Sequence, residues 1–275
     1  MTNRTPEQTA FPSVVHGGIA ADRLTPFRAI SALILREMSA TYGRNPGGYI
    51  WALVEPLGAI LVLTIAFQFI SRTPPIGNNF MLFYATAYPI FQLYTSTTSK
   101  VQGALTYSRA LLAYPRIIWL DAVLARFLLN AATSISVMVI IWTGILHFTN
   151  AQATLDIPPI LNAILIVLLL GLGIGMINSI VIGIFPVWAS AWSILNRPMF
   201  VVSGIFILYE NFPPVAQSIL WWNPVLHATG LVRRGFYATY EASYVSLVYC
   251  YGVAFVLIAI GLICMRGWHK LVLEK

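Results

Sequence analysis

The stretch TPFRAISALILREMSATYGRNPGGYIWALVEPLGAILVLTIAFQFI, Thr25–Ile70, decides the reading of the fold. Thr25 is a good N-cap and Pro26 suits the first helical position. Phe27, Ile30, Ile34 and Met38 recur at helical spacing and form one apolar face, with Arg28, Arg36 and Ser39 on another. Glu37 falls on the shoulder of the apolar face, and Gly43 can end the helix. Such a basic amphipathic helix lies along a membrane surface with its arginines among headgroups. A Gly/Pro elbow follows, then the apolar run Trp51–Ile70, with Glu55-Pro56 near its start. A carboxylate at that depth is a functional candidate by default, although near the bilayer edge it can still reach water.

The rest of the chain has the same character. Of 275 residues, 58% are hydrophobic and 9% charged, against about 25% charged in soluble domains. The chain is therefore read as an all-α integral membrane protein. Apolar runs at Trp51–Ile70, Phe80–Thr98, Ile118–Phe148, Ile160–Ile184, Pro198–Tyr209 and Tyr244–Met265 predict six membrane segments. Residues 1–24 are expected to be a cytoplasmic tail, 25–43 the interface helix, 44–265 the membrane domain and 266–275 a second cytoplasmic tail. Met1–Leu24 holds no run apolar enough for a signal sequence, so no cleaved peptide is expected.

The net charge of +7 falls mostly between the apolar runs, where it reads as a topology signal. No nucleic-acid partner is expected. Arg4, Arg23, Arg28, Arg36 and Arg44 precede the first span, and Lys100, Arg109 and Arg116 lie between the second and third. Arg197 precedes the fifth, and Arg266, Lys270 and Lys275 follow the last. The opposite side holds Arg72, Arg233 and Arg234, which predicts both termini in the cytoplasm. Cys250 and Cys264 share one apolar run and read as buried thiols rather than a disulfide.

Several patterns could carry function. Phe80, Tyr84, Tyr88 and Phe91 recur at steps of four, four and three, an aromatic stripe followed by the hydroxyl run Thr95–Ser99. Packing explains such a stripe, and so does a surface on which sugar rings stack and slide. Ser108–Tyr114, ended by Pro115, reads as a short helix on the cytoplasmic side that could dock a soluble partner. Asp121 and Arg126 are five apart, so they are expected to satisfy other helices rather than each other. Gly171, Gly175, Ser179 and Gly183 form a small-residue ridge for close helix approach. Pro213-Pro214 and Asn223-Pro224 break the late region, which reads either as two half-helices that dip back from the outer face, with Arg233 and Arg234 near an outer exit, or as an amphipathic outer loop held by interfacial Trp221 and Trp222.

Other chemistries find no footing. The histidines are scattered, so no metal site and no catalytic nucleophile–base arrangement is expected. No Gly-x-x-x-x-Gly-Lys occurs, so any ATP that drives transport must bind another chain. A membrane sugar transferase would need an acidic or metal-binding cluster, and Glu37, Glu55 and Asp121 are dispersed. A passive channel or small-molecule permease would need no ATPase partner.

Three elements carry a resemblance: LILREMSATYGRNPGGYIWALVEPLG, RALLAYPRIIW and WWNPVLHATGLVRRGFY. Together they resemble the permease subunit of ABC transporters that export capsular polysaccharide across the inner membrane of Gram-negative bacteria. The resemblance runs from about Phe27 to the C-terminal tail. It implies a homodimer of six-helix subunits with two copies of a separate ATPase, which would bind the ATP and Mg; no cofactor is expected on this chain. It implies a lipid-linked, often acidic polysaccharide, a periplasmic adaptor and an outer-membrane channel. O-antigen and teichoic-acid exporters share the architecture and are the nearest alternatives. On this reading Arg28, Arg36 and Glu37 form an inner gate, and Phe80, Tyr84, Tyr88 and Phe91 line the path. Arg109, Tyr114 and Arg116 meet the ATPase, and Arg233 and Arg234 guide the polymer outward.

Overall fold

The structure, a computed structural model, describes residues 25–42, 47–112, 117–149, 151 and 153–274, without the side chains of 25–29, 40–42 and 49. Among these residues the architecture is all-helical: α1 (Thr25–Tyr42), α2 (Gly48–Ile70), α3 (Phe80–Gln102), α4 (Ala104–Tyr107), α5 (Arg109–Leu112) and α6 (Trp119–Phe148). Then come α7 (Ile157–Ile184), α8 (Trp188–Val202), α9 (Pro214–Leu220), α10 (Pro224–Phe236) and α11 (Leu247–Glu274).

Among the described residues, four helices are long and apolar enough to cross a membrane: α2 from Ile50, α6, α7 and α11. At about 1.5 Å per residue, the 30 residues of α6 reach well beyond a hydrocarbon core roughly 30 Å thick. The 23-residue α3 has the length to cross but a more polar sequence. It sits at the centre, packed against α2, α6, α7 and α10. Its hydroxyls bond back to their own helix: Thr86 donates to Phe83 O, Thr98 to Tyr94 O and Ser96 to Leu93 O. Much of the helix's hydroxyl content is thus satisfied by its own backbone.

α7 is the second central element, packed on α3, α10 and α11. Its glycines set how close these helices come. A Cβ on Gly171 would meet Thr97 at 2.8 Å, and one on Gly175 would meet Val101 at 2.6 Å, both on α3. One on Gly183 would meet Val272 of α11 at 2.5 Å. The ridge read from the sequence therefore serves two neighbours.

The fifth apolar region differs from its expected bounds. The helix is Trp188–Val202, with Pro198 inside it, and the chain leaves helical geometry at Ser203 instead of running helical to Tyr209. Gly204 takes φ +76, a left-handed turn disfavoured for a side chain. The carbonyls released there are capped from α10. Asn223 Nδ2 donates to Val202 O, Thr229 Oγ1 to Ser203 O and Arg233 Nη2 to Ile205 O. This is how irregular backbone is accommodated inside a helical packing.

Candidate functional site

The polar centre of the structure lies where α1, α4 and α6 meet. The buried face of α1 is set by Leu33 and Glu37, four residues apart, while Leu35 and Arg36 are exposed. Glu37 thus occupies the middle of the packed face and not its shoulder. The reason is its partner: Arg126 reaches out from α6, with Nη2 3.0 Å and Nε 3.1 Å from Glu37 Oε1.

Arg126 holds a third point. Its Nη1 donates to the carbonyl of Gly103 at 2.8 Å, where α3 gives way to α4. A Cβ at 103 would stand 3.1 Å from that nitrogen, so the glycine makes room for the guanidinium. The Arg126 guanidinium lies over the Tyr107 ring at 4.4 Å, and that of Arg36 approaches the same ring at 5.7 Å. One arginine therefore ties α1, the α3–α4 junction and α6 together. A pair with one buried and one partly buried member is costly to break from one side, because the remaining charge is left without its partner. Arg126, Tyr107 and Gly103 were not among the site residues read from sequence. The usable signals were the carboxylate on an apolar helix face and the arginine inside an apolar run.

Nearby, Asp121 accepts from the Ile118 amide at the start of α6, and Asn130 Nδ2 donates to Ser96 and Thr97 on α3. Of the expected Ser108–Tyr114 helix, the described part is the single turn α5, Arg109–Leu112, which a turn at Ser108 separates from α4; Arg109 is exposed on it. Tyr114, Arg116 and the side chain of Arg28 lie outside the described residues.

The aromatic stripe on α3 is packed within the subunit. Phe80, Tyr84 and Phe91 are buried, Tyr84 at 1% exposure. Tyr84 lies against Phe67 and Phe83, and Phe91 against Tyr94 and Phe200. Tyr88 is half-buried, its ring nearly perpendicular to that of Phe200.

At the other end of the bundle, Arg233 and Arg234 part company. Arg234 is exposed, whereas Arg233 is 2% exposed, stacked over the Phe83 ring at 4.2 Å and bonded to Ile205 O. Consecutive residues on a helix point about 100° apart, so the two arginines cannot share one environment. Arg233 is thus a residue of the packing and offers no charge at the surface. Beside it Tyr240 donates to Glu210 Oε2 at 3.1 Å, and burial pushes its phenol pKa up, which keeps it a neutral donor.

Residues 28–237 match the family model described as ABC-2 type transporter. The chain belongs to that family. Proteins with similar sequences include the capsule polysaccharide export inner-membrane protein BexB of Haemophilus influenzae, 28% identical over 88% of this chain and 92% of BexB. The inner-membrane protein of the same description from Neisseria meningitidis, CtrC, is 27% identical over 88% of this chain and 92% of its own length. The polysialic acid transport protein KpsM of Escherichia coli is 29% identical over 90% of this chain and 95% of KpsM. The ABC-2 match takes in α1 from Arg28, the Glu37–Arg126 junction and all of α10.

Proposed function

We propose that this chain is the membrane-spanning subunit of an ATP-driven exporter of capsular polysaccharide in a bacterial inner membrane. The observation that carries the reading is the set of capsule-export relatives aligned over about nine-tenths of the chain. A polysialic acid transporter among them makes an acidic polymer a natural substrate class.

On this reading two copies of the chain pair with two copies of an ATPase, which binds ATP and Mg. Both termini face the cytoplasm, in keeping with the excess of Lys and Arg on that side. Six segments traverse the membrane: α2, α3, α6, α7, the α8 region and α11, with α9 and α10 folding back from the outer side. The burial of α10 against α3 and α7 supports that arrangement. A periplasmic adaptor and an outer-membrane channel receive the polymer.

The junction at Arg126 supplies a mechanism. α4 and α5, with Arg109, face the ATPase. Movement there is transmitted through Gly103 and Arg126 to Glu37, and so to α1 at the membrane surface. Because the contacts are directional, α1 and the α4 segment move as one body. The polymer path runs between the two copies. Tyr88 is the member of the aromatic stripe placed to reach it, with Phe80, Tyr84 and Phe91 supporting the wall behind.

Deleting the chain and locating the polymer tests the reading. Polymer trapped inside the cell is the expected result. Loss of polymer altogether would point to synthesis, and normal surface polymer would remove the chain from export.

A further inference from the structure

The hairpin of α9 and α10 meets the chain around the start of α11 through a cluster of rings and hydrogen bonds. α10 itself packs mainly on α7 and α3 and touches α11 at few points. Trp221 Nε1 donates to Tyr244 O, the Tyr244 hydroxyl to Leu226 O and the Tyr249 hydroxyl to Trp222 O. A fourth fastening is His227, which has no exposed surface. Its Nε2 lies 2.6 Å from the carbonyl oxygen of Trp221, and its Nδ1 lies 3.3 Å from the amide nitrogen of Ser246.

These two partners fix the tautomer. A carbonyl oxygen only accepts, so Nε2 carries the hydrogen; a backbone N–H only donates, so Nδ1 is bare. Neutral His227 therefore bridges the α9–α10 turn and the residue before α11. A second proton can go only to Nδ1, where it faces the Ser246 N–H, donor against donor, and the bond is lost. Burial lowers the pKa of the ring, opposed by the bond to Trp221 O, which raises it. The rings of Trp221, Tyr244 and Tyr249 stand around it at 5.3, 5.6 and 5.7 Å. Both phenols donate to carbonyls and so are neutral. The charged groups of the flanking elements are Glu210, Arg233, Arg234 and Glu241, with those of α11 at its far end. α7 has none, and α3 has only Lys100 in its last turn. Arg234 and Glu241 are exposed, while Glu210 and Arg233 bear on Tyr244. The segment so held carries strain: Ala242 has φ +49, a left-handed conformation uncommon for a residue with a Cβ.

We propose that His227 is a proton-sensitive latch between the α9–α10 hairpin and the start of α11: the neutral ring holds Ser246, and the doubly protonated ring releases it. Because the native state resists the second proton, the fastening is complete above the ordinary imidazole pKa and is lost as pH falls through the lowered one. Of the four fastenings, this is the one that changes charge in that range; the phenols and the indole do not. On the topology proposed above, this end of the bundle faces outward, so acidity outside the inner membrane loosens it. The latch itself does not depend on what is exported.

The test uses the purified full-length chain in detergent. Hydrogen exchange of the Ser246 amide is followed within the peptide 241–249 at about pH 7.5 and about pH 5, on either side of the ordinary imidazole pKa. Each rate is corrected for the intrinsic effect of pH with an unstructured peptide. The Ser246 amide should exchange about fivefold faster at the lower pH, the loss of one hydrogen bond, while a peptide from the middle of α7 keeps its corrected rate. His227→Gln, which takes up no proton, should remove the difference. Equal corrected rates in the unmodified chain would overturn the proposal, and so would a difference that persists in a folded His227→Gln chain. If that variant does not fold, the tautomer decides. With His16→Gln, His147→Gln and His269→Gln, His227 is the remaining histidine of four. Its ring nitrogen resonances at about pH 7.5 should show a proton on Nε2 and none on Nδ1; a proton on Nδ1 would overturn the latch.

Discussion

Arg126 and Glu37 stand 89 residues apart in the chain, yet Nη2 of one lies 3.0 Å from Oε1 of the other. The same guanidinium grips Gly103 O, so a single side chain joins α1 to both α6 and the α3–α4 junction. Glu37→Ala leaves the partly buried Arg126 without its counter-charge and should lower stability, by less than the about 3–5 kcal/mol of a fully buried pair. Glu37→Gln keeps an acceptor and should cost less. Arg126→Lys keeps the charge but cannot reach Glu37 and Gly103 at once, so it should fold and still export poorly. Thermal unfolding in detergent, measured beside surface polysaccharide, separates the two effects. Unchanged export in Arg126→Lys would rule out transmission through this residue.

Gly175 faces Val101 so closely that an added methyl would stand 2.6 Å from its Cβ. Gly175→Ala should lower stability by about 1–3 kcal/mol through overpacking. Gly252→Ala meets nothing within 4 Å and should be neutral or stabilising by up to about 1 kcal/mol, the helix-propensity gain. Melting temperatures of the two variants in one detergent check the pair.

Arg233 and Arg234 should respond to substitution in opposite ways. Arg233→Ala removes a donor to Ile205 O and the cation over Phe83, and so should reduce the yield of folded protein. Arg234→Ala should fold normally. Size-exclusion profiles of the two variants decide this; equal behaviour would contradict the placement of Arg233 in the packing.

Tyr84 and Tyr88 are four apart on α3 but differ in burial. Tyr84→Ala opens a cavity and should cost about 3–5 kcal/mol, the range for a large aromatic removed from a core. Tyr88→Ala should leave folding nearly intact and reduce export. A Tyr88→Ala strain with normal surface polymer would take the stripe out of the path.

The sequence made some of this legible and hid the rest for physical reasons. α2, α6 and α7 stand out because each holds a long apolar run that little but a membrane helix explains. α8 was misplaced: its first turns mix Trp, Ser, Asn and Arg, and Pro198 looked like a helix start although it lies eleven residues into the helix. Glu37 showed itself as a carboxylate among apolar residues, but a pairing across 89 residues has no local spacing by which to find Arg126. Arg233-Arg234 reads as one basic patch in sequence, whereas helical rotation buries one and exposes the other. The aromatic stripe follows the same rule: four rings on one face mark a packed surface as readily as an open one.

The central claim is that this chain, with an ATPase, moves polysaccharide across the inner membrane. ATP-dependent accumulation of the polymer inside inside-out inner-membrane vesicles measures it directly. Vesicles with the unmodified chain should take up polymer only when ATP is supplied, and vesicles lacking the chain should not. Equal uptake without ATP, or uptake that persists when the chain is absent, would contradict the account.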